Sequence, residues 1–145
     1  MSDVATVGPQ VGLLLRLAHQ RAARSFRDAL APLGIDGRLF GVLSALGRLG
    51  PSTQARLIAE LDADKSAMLR TVDDLEQRGL AERRVVPGDR RARVIALTAS
   101  GQECLAAAEE TARATSATLF SSIDPDELVI LRDTLARFVA EGRAK

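Results

Sequence analysis

The sequence is poor in the side chains on which most enzyme chemistry and metal binding depend. Its 145 residues include one cysteine, one histidine, no tryptophan and no tyrosine. The lone cysteine, Cys104, excludes an internal disulfide framework and is compatible with the cytosol. His19 and one distant cysteine are too few for a protein metal site, and neither a phosphate-binding glycine loop nor a G-x-S-x-G motif occurs. We therefore expect no enzyme activity, no metal and no cofactor.

Long apolar runs are missing as well. No run reaches the roughly 20 apolar residues that a membrane-spanning helix needs. The N-terminus does not show a basic segment followed by an apolar stretch, which a secretion signal would have. We expect a cytoplasmic protein without membrane association, and the length is most simply that of one compact domain over residues 1–145.

The net charge is small, but positive charge is concentrated locally. The formal net charge is only +1, yet the segment from Arg83 to Arg93 holds five arginines against one aspartate. A basic segment on a nearly neutral chain is typical of a directed electrostatic contact with a polyanion. By itself, such a charge run more often forms an ordinary solvated surface.

The stretch from residue 52 to residue 98 has the clearest pattern, and its first half predicts two helices joined by a turn. Ser52 can cap the first helix, because its hydroxyl accepts a hydrogen bond from a free amide of the first turn, and Asp62 or Asp64 can cap the second. The expected apolar face of the first helix consists of Ala55, Ile58 and Ala59, with Leu57 and Leu61 beside it. The core-facing stripe of the second helix recurs at i, i+4 and i+7 and consists of Met68, Val72 and Leu75.

A basic β-hairpin is predicted directly after these helices. Gly79 supplies the left-handed residue that ends the second helix. Strand patterns over residues 82–86 and 92–97 flank a turn at residues 87–91, which contains proline, glycine and aspartate. Two helices followed by a basic hairpin are the layout of a winged helix-turn-helix, which lays one helix in a DNA major groove.

The flanking segments predict further helices, so the expected fold class is mainly α with a small β-hairpin. Residues 1–8 read as a loose arm, residues 9–31 as a helix with Pro9 in its first turn, and Asp36 as the cap of the next helix. Residues 99–141 predict two more helices, capped by Thr98 or Ser100 and by Asp124. The terminal helices carry apolar stripes that either interlock in a two-fold dimer or fold back on their own lobe. Periodicity alone leaves both arrangements open.

Three local motifs in order make the chain resemble the MarR family of bacterial transcriptional regulators. They are the helix end Leu75-Glu76 to Gly79-Leu80, the hairpin tip Asp89-Arg90-Arg91, and the exit Leu97-Thr98 to Gly101. The resemblance covers nearly the whole chain. It implies a DNA-binding lobe over residues 36–98, dimerisation helices over 9–31 and 99–141, and a repressor that binds a pseudo-palindromic operator in double-stranded DNA as a homodimer. It also implies that a small-molecule effector can relieve repression.

The exposed face of the second motif helix supplies the candidate base contacts. Ser66 and Arg70 can donate to base edges or phosphates, Leu69 can contact a thymine methyl group, and Lys65 can reach a phosphate. The alternative for each is an ordinary exposed helix residue, and for Leu69 a partly buried core contact.

Further DNA contacts are expected from the first motif helix and from the hairpin tip. Thr53 and Gln54 lie where helix amides and polar side chains commonly hold a phosphate, although they can also be simple caps. In the family pattern the second arginine of the tip enters the minor groove, which the match places on Arg91. Asp89 would then orient the Arg91 guanidinium, and Arg90 would contact a phosphate.

Ligand binding is the least defined expectation. Members of the family often bind small molecules between the dimer region and the DNA-binding lobe, which makes Arg16 and His19 of the first helix candidate ligand contacts. The alternative for His19 is a partly exposed helix residue. Oxidant-sensing members carry their reactive cysteine near the first helix, so Cys104 is predicted to be a small packed residue.

One other non-enzymatic function fits the pattern. A winged helix that has lost its DNA-facing charges can serve protein association instead. The five arginines around the hairpin argue against that alternative.

Overall fold

The computed structural model describes residues 3–144 as six α-helices, one short 3₁₀ turn and one β-hairpin. These elements are α1 (Val4–Leu30), the 3₁₀ turn (Ala31–Leu33), α2 (Gly37–Leu49), α3 (Gln54–Leu61), α4 (Lys65–Gln77), β1 (Ala81–Val86), β2 (Asp89–Leu97), α5 (Ala99–Leu119) and α6 (Pro125–Arg143). The strands pair antiparallel as a two-stranded sheet. The predicted mainly α class with a β-hairpin is confirmed.

One hydrophobic core lies inside the lobe formed by α2, α3, α4, the hairpin, the first half of α5 and the end of α1. The stripe predicted on α4 is confirmed, since Met68, Val72 and Leu75 are buried. Leucines of α2 face them from the other side of the core. Burial of this apolar surface is the main favourable contribution to folding of the lobe.

The apolar face predicted for α3 is only partly right. Ile58 packs half-buried against the core, and Leu57 and Leu61, which were expected beside the face, are fully and partly buried. Ala55 and Ala59 are exposed instead. In an eight-residue helix the small pattern fits more than one face. The face that becomes buried is the one that removes the most apolar area from water. Leu57 is buried because its side chain contributes more area than an alanine methyl group.

One predicted helix cap is shifted by the hairpin. Ser52 does not cap α3, because its amide and carbonyl groups pair with Ile95 of β2 at 3.0 and 2.8 Å. The cap is Thr53, whose hydroxyl accepts from the amide of Arg56. At α5 the cap is Thr98 rather than Ser100, while Asp36, Asp64 and Asp124 cap their helices as predicted.

The loose arm predicted at the N-terminus is helical over most of its length. Helix α1 begins at Val4, and the carboxylate of Asp3 accepts from the amide of Ala5 at 3.2 Å as its cap. Pro9 therefore lies inside the helix and not in its first turn. Met1 and Ser2, which belong to the same predicted arm, lie outside the described residues.

The terminal helices contribute little to the core of their own chain. Helix α6 has no buried residue, and α1 buries only Leu30 at its end. Large apolar side chains such as Leu14, Ile130 and Phe138 remain more than 60% exposed. Helix α6 therefore does not bury its apolar stripe against its own lobe.

Within residues 3–144 no single helix is long and apolar enough to cross a membrane. The segments Val4–Leu33 and Gly37–Leu49 reach that length and composition only when they are taken together, and they meet at a bend of 78°.

Candidate nucleic-acid interface

Helix α4 presents its first two turns to solvent while its other face is held in the core. The carboxylate of Asp64 accepts from the amide of Ala67 at 2.9 Å and fixes the start of the helix. The side chains predicted to contact DNA are all exposed on the outer face of α4, namely Lys65, Ser66, Leu69 and Arg70. Leu69 is 45% exposed, which excludes the alternative of a core contact.

The start of α3 offers a second set of polar groups. Thr53 is exposed and acts as the helix cap, and Gln54 is the first residue of the helix and half-buried. The amides of the first turn of a helix carry partial positive charge and point away from the helix body. This end of α3 can therefore accept an anionic oxygen without further rearrangement.

The hairpin turn is tighter than predicted. Only Pro87 and Gly88 lie between the strands, and Gly88 has a φ of 84°, which favours glycine. Asp89 and the two arginines after it therefore begin β2 rather than belong to the turn. Both Arg90 and Arg91 are exposed at the tip.

The hairpin tip is stabilised by hydrogen bonds to its backbone. The carboxylate of Asp89 accepts from the backbone amide of Arg91 at 3.0 Å, and not from the Arg91 guanidinium as the family pattern suggested. Arg93, which the sequence did not single out, donates through Nη1 to the carbonyl oxygens of Arg90 and Ala92 at 2.7 and 3.2 Å. These hydrogen bonds therefore fix the backbone of the tip before any partner binds.

An ion-pair cluster joins the hairpin to α4. The guanidinium of Arg83 on β1 donates to Asp73 Oδ1 at 2.7 Å and also to the carboxylate of Glu76. Asp73 and Glu76 lie three residues apart on α4. This spacing places both carboxylates on one face of the helix, where they could bind one cation. It does not indicate that the hairpin packs beside that face, so Arg83 could not be predicted as their partner.

A second cluster joins α4 to the corner between α1 and α2. Arg38 donates to Thr71 Oγ1 at 3.2 Å and to Asp74 Oδ2 at 2.9 Å. Arg78 donates to Asp74 Oδ1 at 2.7 Å and to the carbonyl of Gly34. The hydrogen bond from Arg78, followed by that from Arg38, holds the pKa of Asp74 below its ordinary value.

A cavity of about 730 Å³ lies among α1, the start of α2 and α5. His19 lines this cavity, together with Arg27, Arg38 and the aromatic rings of Phe26 and Phe40. Arg16 is exposed on the same helix but does not line the cavity. Of the two candidate ligand contacts, the fold thus brings His19, and not Arg16, to this cavity.

Cys104 packs against the core as predicted. It is half-buried on α5, and this burial raises the pKa of its thiol above the ordinary value. A raised pKa reduces the thiolate fraction on which cysteine reactivity depends.

Similarity to known proteins decides the family. The MarR family model matches residues 33–92. The HTH-type transcriptional repressor NicR of Pseudomonas putida is 34% identical over 133 residues, which are 92% of this chain and 84% of that protein. The chain belongs to the MarR family.

Solved structures of MarR-family regulators share the whole architecture. CouR from Rhodococcus jostii, bound to p-coumaroyl-CoA, is 29% identical with a TM-score of 0.79, and the match covers 89% of this chain and 91% of CouR. A cysteine-to-serine variant of MarR from E. coli, complexed with operator DNA, is 25% identical with a TM-score of 0.83, and the match covers 94% of this chain and 99% of MarR. The MarR fold therefore extends over both the winged lobe and the terminal helices.

Proposed function

We propose that this MarR-family protein is a sequence-specific repressor that binds a pseudo-palindromic operator as a homodimer and releases it when a small ligand binds. The observation that carries the proposal is the cluster of Arg83, Asp73 and Glu76, which fastens the hairpin to α4. Through it, the hairpin that carries the arginine-rich tip lies against α4, the helix whose outer face is exposed. Similarity to the repressor NicR and to MarR complexed with operator DNA supports the same function.

In this proposal α4 reads the major groove. Arg70 and Ser66 donate to base edges or phosphates, Leu69 contacts a thymine methyl group, and Lys65 neutralises a phosphate. Their exposure on the first two turns of the helix supports these roles. The buried stripe on the opposite face holds α4 in place while the helix lies in the major groove.

The hairpin tip and the start of α3 supply the remaining contacts. Arg91 enters the minor groove and Arg90 contacts a phosphate, while Asp89 keeps the backbone of the tip in shape through the amide of Arg91. The amides at the start of α3, with Thr53 and Gln54, hold a phosphate of the DNA backbone.

The unburied apolar surface of the terminal helices supports the proposed dimerisation. Leu14 on α1 and Ile130 and Phe138 on α6 are each more than 60% exposed in the single chain. An isologous contact between these helices would bury them and present two copies of α4. Two recognition helices that meet successive major grooves must lie about 34 Å apart, which is why the operator should be pseudo-palindromic.

The cavity beside His19 is the proposed ligand site. Its position between α1, α5 and the start of α2 connects the terminal helices with the winged lobe. The structural relative CouR was solved with p-coumaroyl-CoA bound, which supports a ligand-responsive function. Arg16 would have to turn toward this cavity to take part in binding.

The test uses the intergenic DNA beside the gene. We expect the purified dimer to protect an inverted repeat there and to bind it far more tightly than a shuffled duplex of the same composition. The logarithm of the affinity should fall steeply and linearly with the logarithm of the salt concentration, because phosphate contacts release counterions. Equal binding to both duplexes, or no duplex binding, would instead support a winged helix used for protein association.

A further inference from the structure

The tip of the hairpin contains a bulge on β2. Consecutive residues of β1 pair with separated residues of β2, namely Val85 with Arg93 and Val86 with Asp89. Residues 90–92 therefore lie outside the pairing of the two strands, and they include both arginines of the proposed tip contact. A bulge of this kind bends its strand and redirects the side chains of the extra residues.

The side chain of Arg93 spans the bulge. Arg93 Nη1 donates to the carbonyl oxygen of Arg90 at 2.7 Å and to the carbonyl oxygen of Ala92 at 3.2 Å. These two carbonyls belong to the first and the last residue of the bulge, where the ladder of the sheet is interrupted. One guanidinium thus joins both ends of the bulge.

A second contact holds the middle of the bulge. The carboxylate of Asp89 accepts from the backbone amide of Arg91 at 3.0 Å. The backbone is therefore held at Arg91 and on either side of it, while the side chain of Arg91 is exposed. This arrangement fixes the direction in which Arg91 leaves the hairpin.

The contacts of Arg93 should matter for binding more than for folding. Arg93 is exposed, and water can replace its hydrogen bonds in the free protein at little net cost. A tip that is already ordered, however, loses less conformational entropy when it enters a groove of DNA. The loss of Arg93 should therefore appear in operator affinity while the fold stays intact.

We propose that Arg93 is a positioning residue that holds the bulge in the shape in which Arg91 fits a narrow minor groove. The inference rests on the proposed function, because it concerns the same DNA-binding surface. It adds a determinant of specificity. Runs of A·T pairs have a narrow minor groove with enhanced negative potential, so the Arg93-held tip selects A·T pairs at the positions that it faces.

The first experiment measures the order of the tip without DNA. Arg93→Met keeps an aliphatic side chain and removes the donors. The NMR order parameters of the amides of residues 90–92 should fall from the rigid value of about 0.85 toward about 0.6. Thermal unfolding should stay close to that of the wild type, since an exposed side chain contributes little to stability. Unchanged order parameters would overturn the proposal.

The second experiment measures specificity. The positions that face the tip are those that lose protection from hydroxyl radicals in Arg91→Ala. The wild-type dimer should prefer A·T pairs there, because G·C pairs add an amino group to the minor groove. Arg93→Met should bind the A·T operator about three- to tenfold more weakly, the ordering cost of one side chain, and should bind the A·T and G·C versions about equally. A wild type without this preference would contradict the proposal.

A double-mutant cycle separates positioning from a direct contact of Arg93 with DNA. The matched control is Arg84→Met on β1, because Arg84 is paired with Glu82 and its loss removes one positive charge from the same hairpin. The A·T preference of Arg84→Met should equal that of the wild type. In an Arg91→Ala background, Arg93→Met should weaken binding no more than Arg84→Met does. Additive losses from Arg91→Ala and Arg93→Met would make Arg93 a DNA contact in its own right.

Failure of the inference and failure of the proposed function give different results. A wild-type dimer that selects no operator at all refutes the proposed function. A wild-type dimer that selects its operator, together with an Arg93→Met dimer that keeps the full A·T preference, refutes only this inference.

Discussion

In the winged lobe, Leu39, Leu43 and Leu75 are at most 1% exposed, whereas Ile130, Leu131 and Phe138 on α6 are between 41% and 65% exposed. Both groups are apolar residues on amphipathic helices. The lobe encloses its leucines among α2, α3, α4, the hairpin and parts of α1 and α5, while α6 has no buried residue. The winged lobe of this MarR-family chain thus completes its own core, whereas α6 carries an apolar surface that a second copy would cover.

The strongest test of this difference is a charge placed on α6. Phe138→Asp should separate the proposed dimer, because each protomer loses an apolar contact and gains an unpaired charge at the interface. With two copies affected, we expect the association free energy to fall by about 4 kcal/mol or more. Sedimentation equilibrium measures the change, and Arg132→Ala on the same helix is the control. A Phe138→Asp protein that stays dimeric would show that α6 is not the interface.

Truncation inside the lobe should act on folding instead. Leu43→Ala leaves a cavity in a closed core, and we expect the free energy of unfolding to fall by about 2–5 kcal/mol. Chemical denaturation at fixed protein concentration measures the loss. The control is Leu69→Ala on the exposed face of α4. This variant should change stability by less than about 0.5 kcal/mol. Equal losses in the two variants would contradict the assigned core.

Within the lobe, the arginines divide into those exposed on the proposed DNA-binding surface and those that hold the lobe together. Arg91→Ala should weaken operator binding by about 1–3 kcal/mol and reduce the salt slope by about one. Thermal stability should stay unchanged, since the Arg91 side chain is exposed. Anisotropy titrations at several salt concentrations measure both quantities, with Arg113→Ala on α5 as control. Unchanged affinity at fixed salt would exclude the minor-groove role.

In contrast to Arg91→Ala, Arg83→Ala should lower thermal stability and leave the salt slope of DNA binding unchanged. Arg83 is paired with Asp73 and Glu76, so its loss should lower thermal stability and weaken operator binding by about 1 kcal/mol through a misplaced hairpin. The salt slope should stay near the wild-type value, because no phosphate contact is removed. A reduced slope with unchanged stability would mean that Arg83 contacts DNA directly.

The smallest effect should be the dependence of stability on pH through Asp74. A carboxyl group whose pKa is lowered by folding stabilises the protein above its ordinary pKa of about 4 and loses this contribution as the pH falls through the lowered value. Acid unfolding of Asp74→Asn should therefore be less steep than that of the wild type below about pH 4. Identical acid transitions would show that the contacts from Arg78 and Arg38 do not stabilise the fold.

The residues that could be predicted for the candidate site are those whose environment is local. The outer face of α4 follows from helical periodicity, because Lys65, Ser66 and Arg70 lie opposite a buried stripe that recurs at helical spacing. The partners of Arg83, Arg38 and Arg93 could not be predicted in this way. Each of these arginines bonds to groups whose position depends on how the hairpin or the helices pack.

The order of helices and strands, the stripe of Met68, Val72 and Leu75, and the family of the chain could be read from the amino-acid sequence alone. These depend on periodicity and on short motifs that need no knowledge of distant residues. The pairing of Ser52 with β2, the exposure of Ala55 on α3 and the lack of a buried residue on α6 depend instead on how distant segments pack. The physical reason is that burial and hydrogen bonding between distant segments outweigh local preference wherever several local choices are nearly equal in free energy.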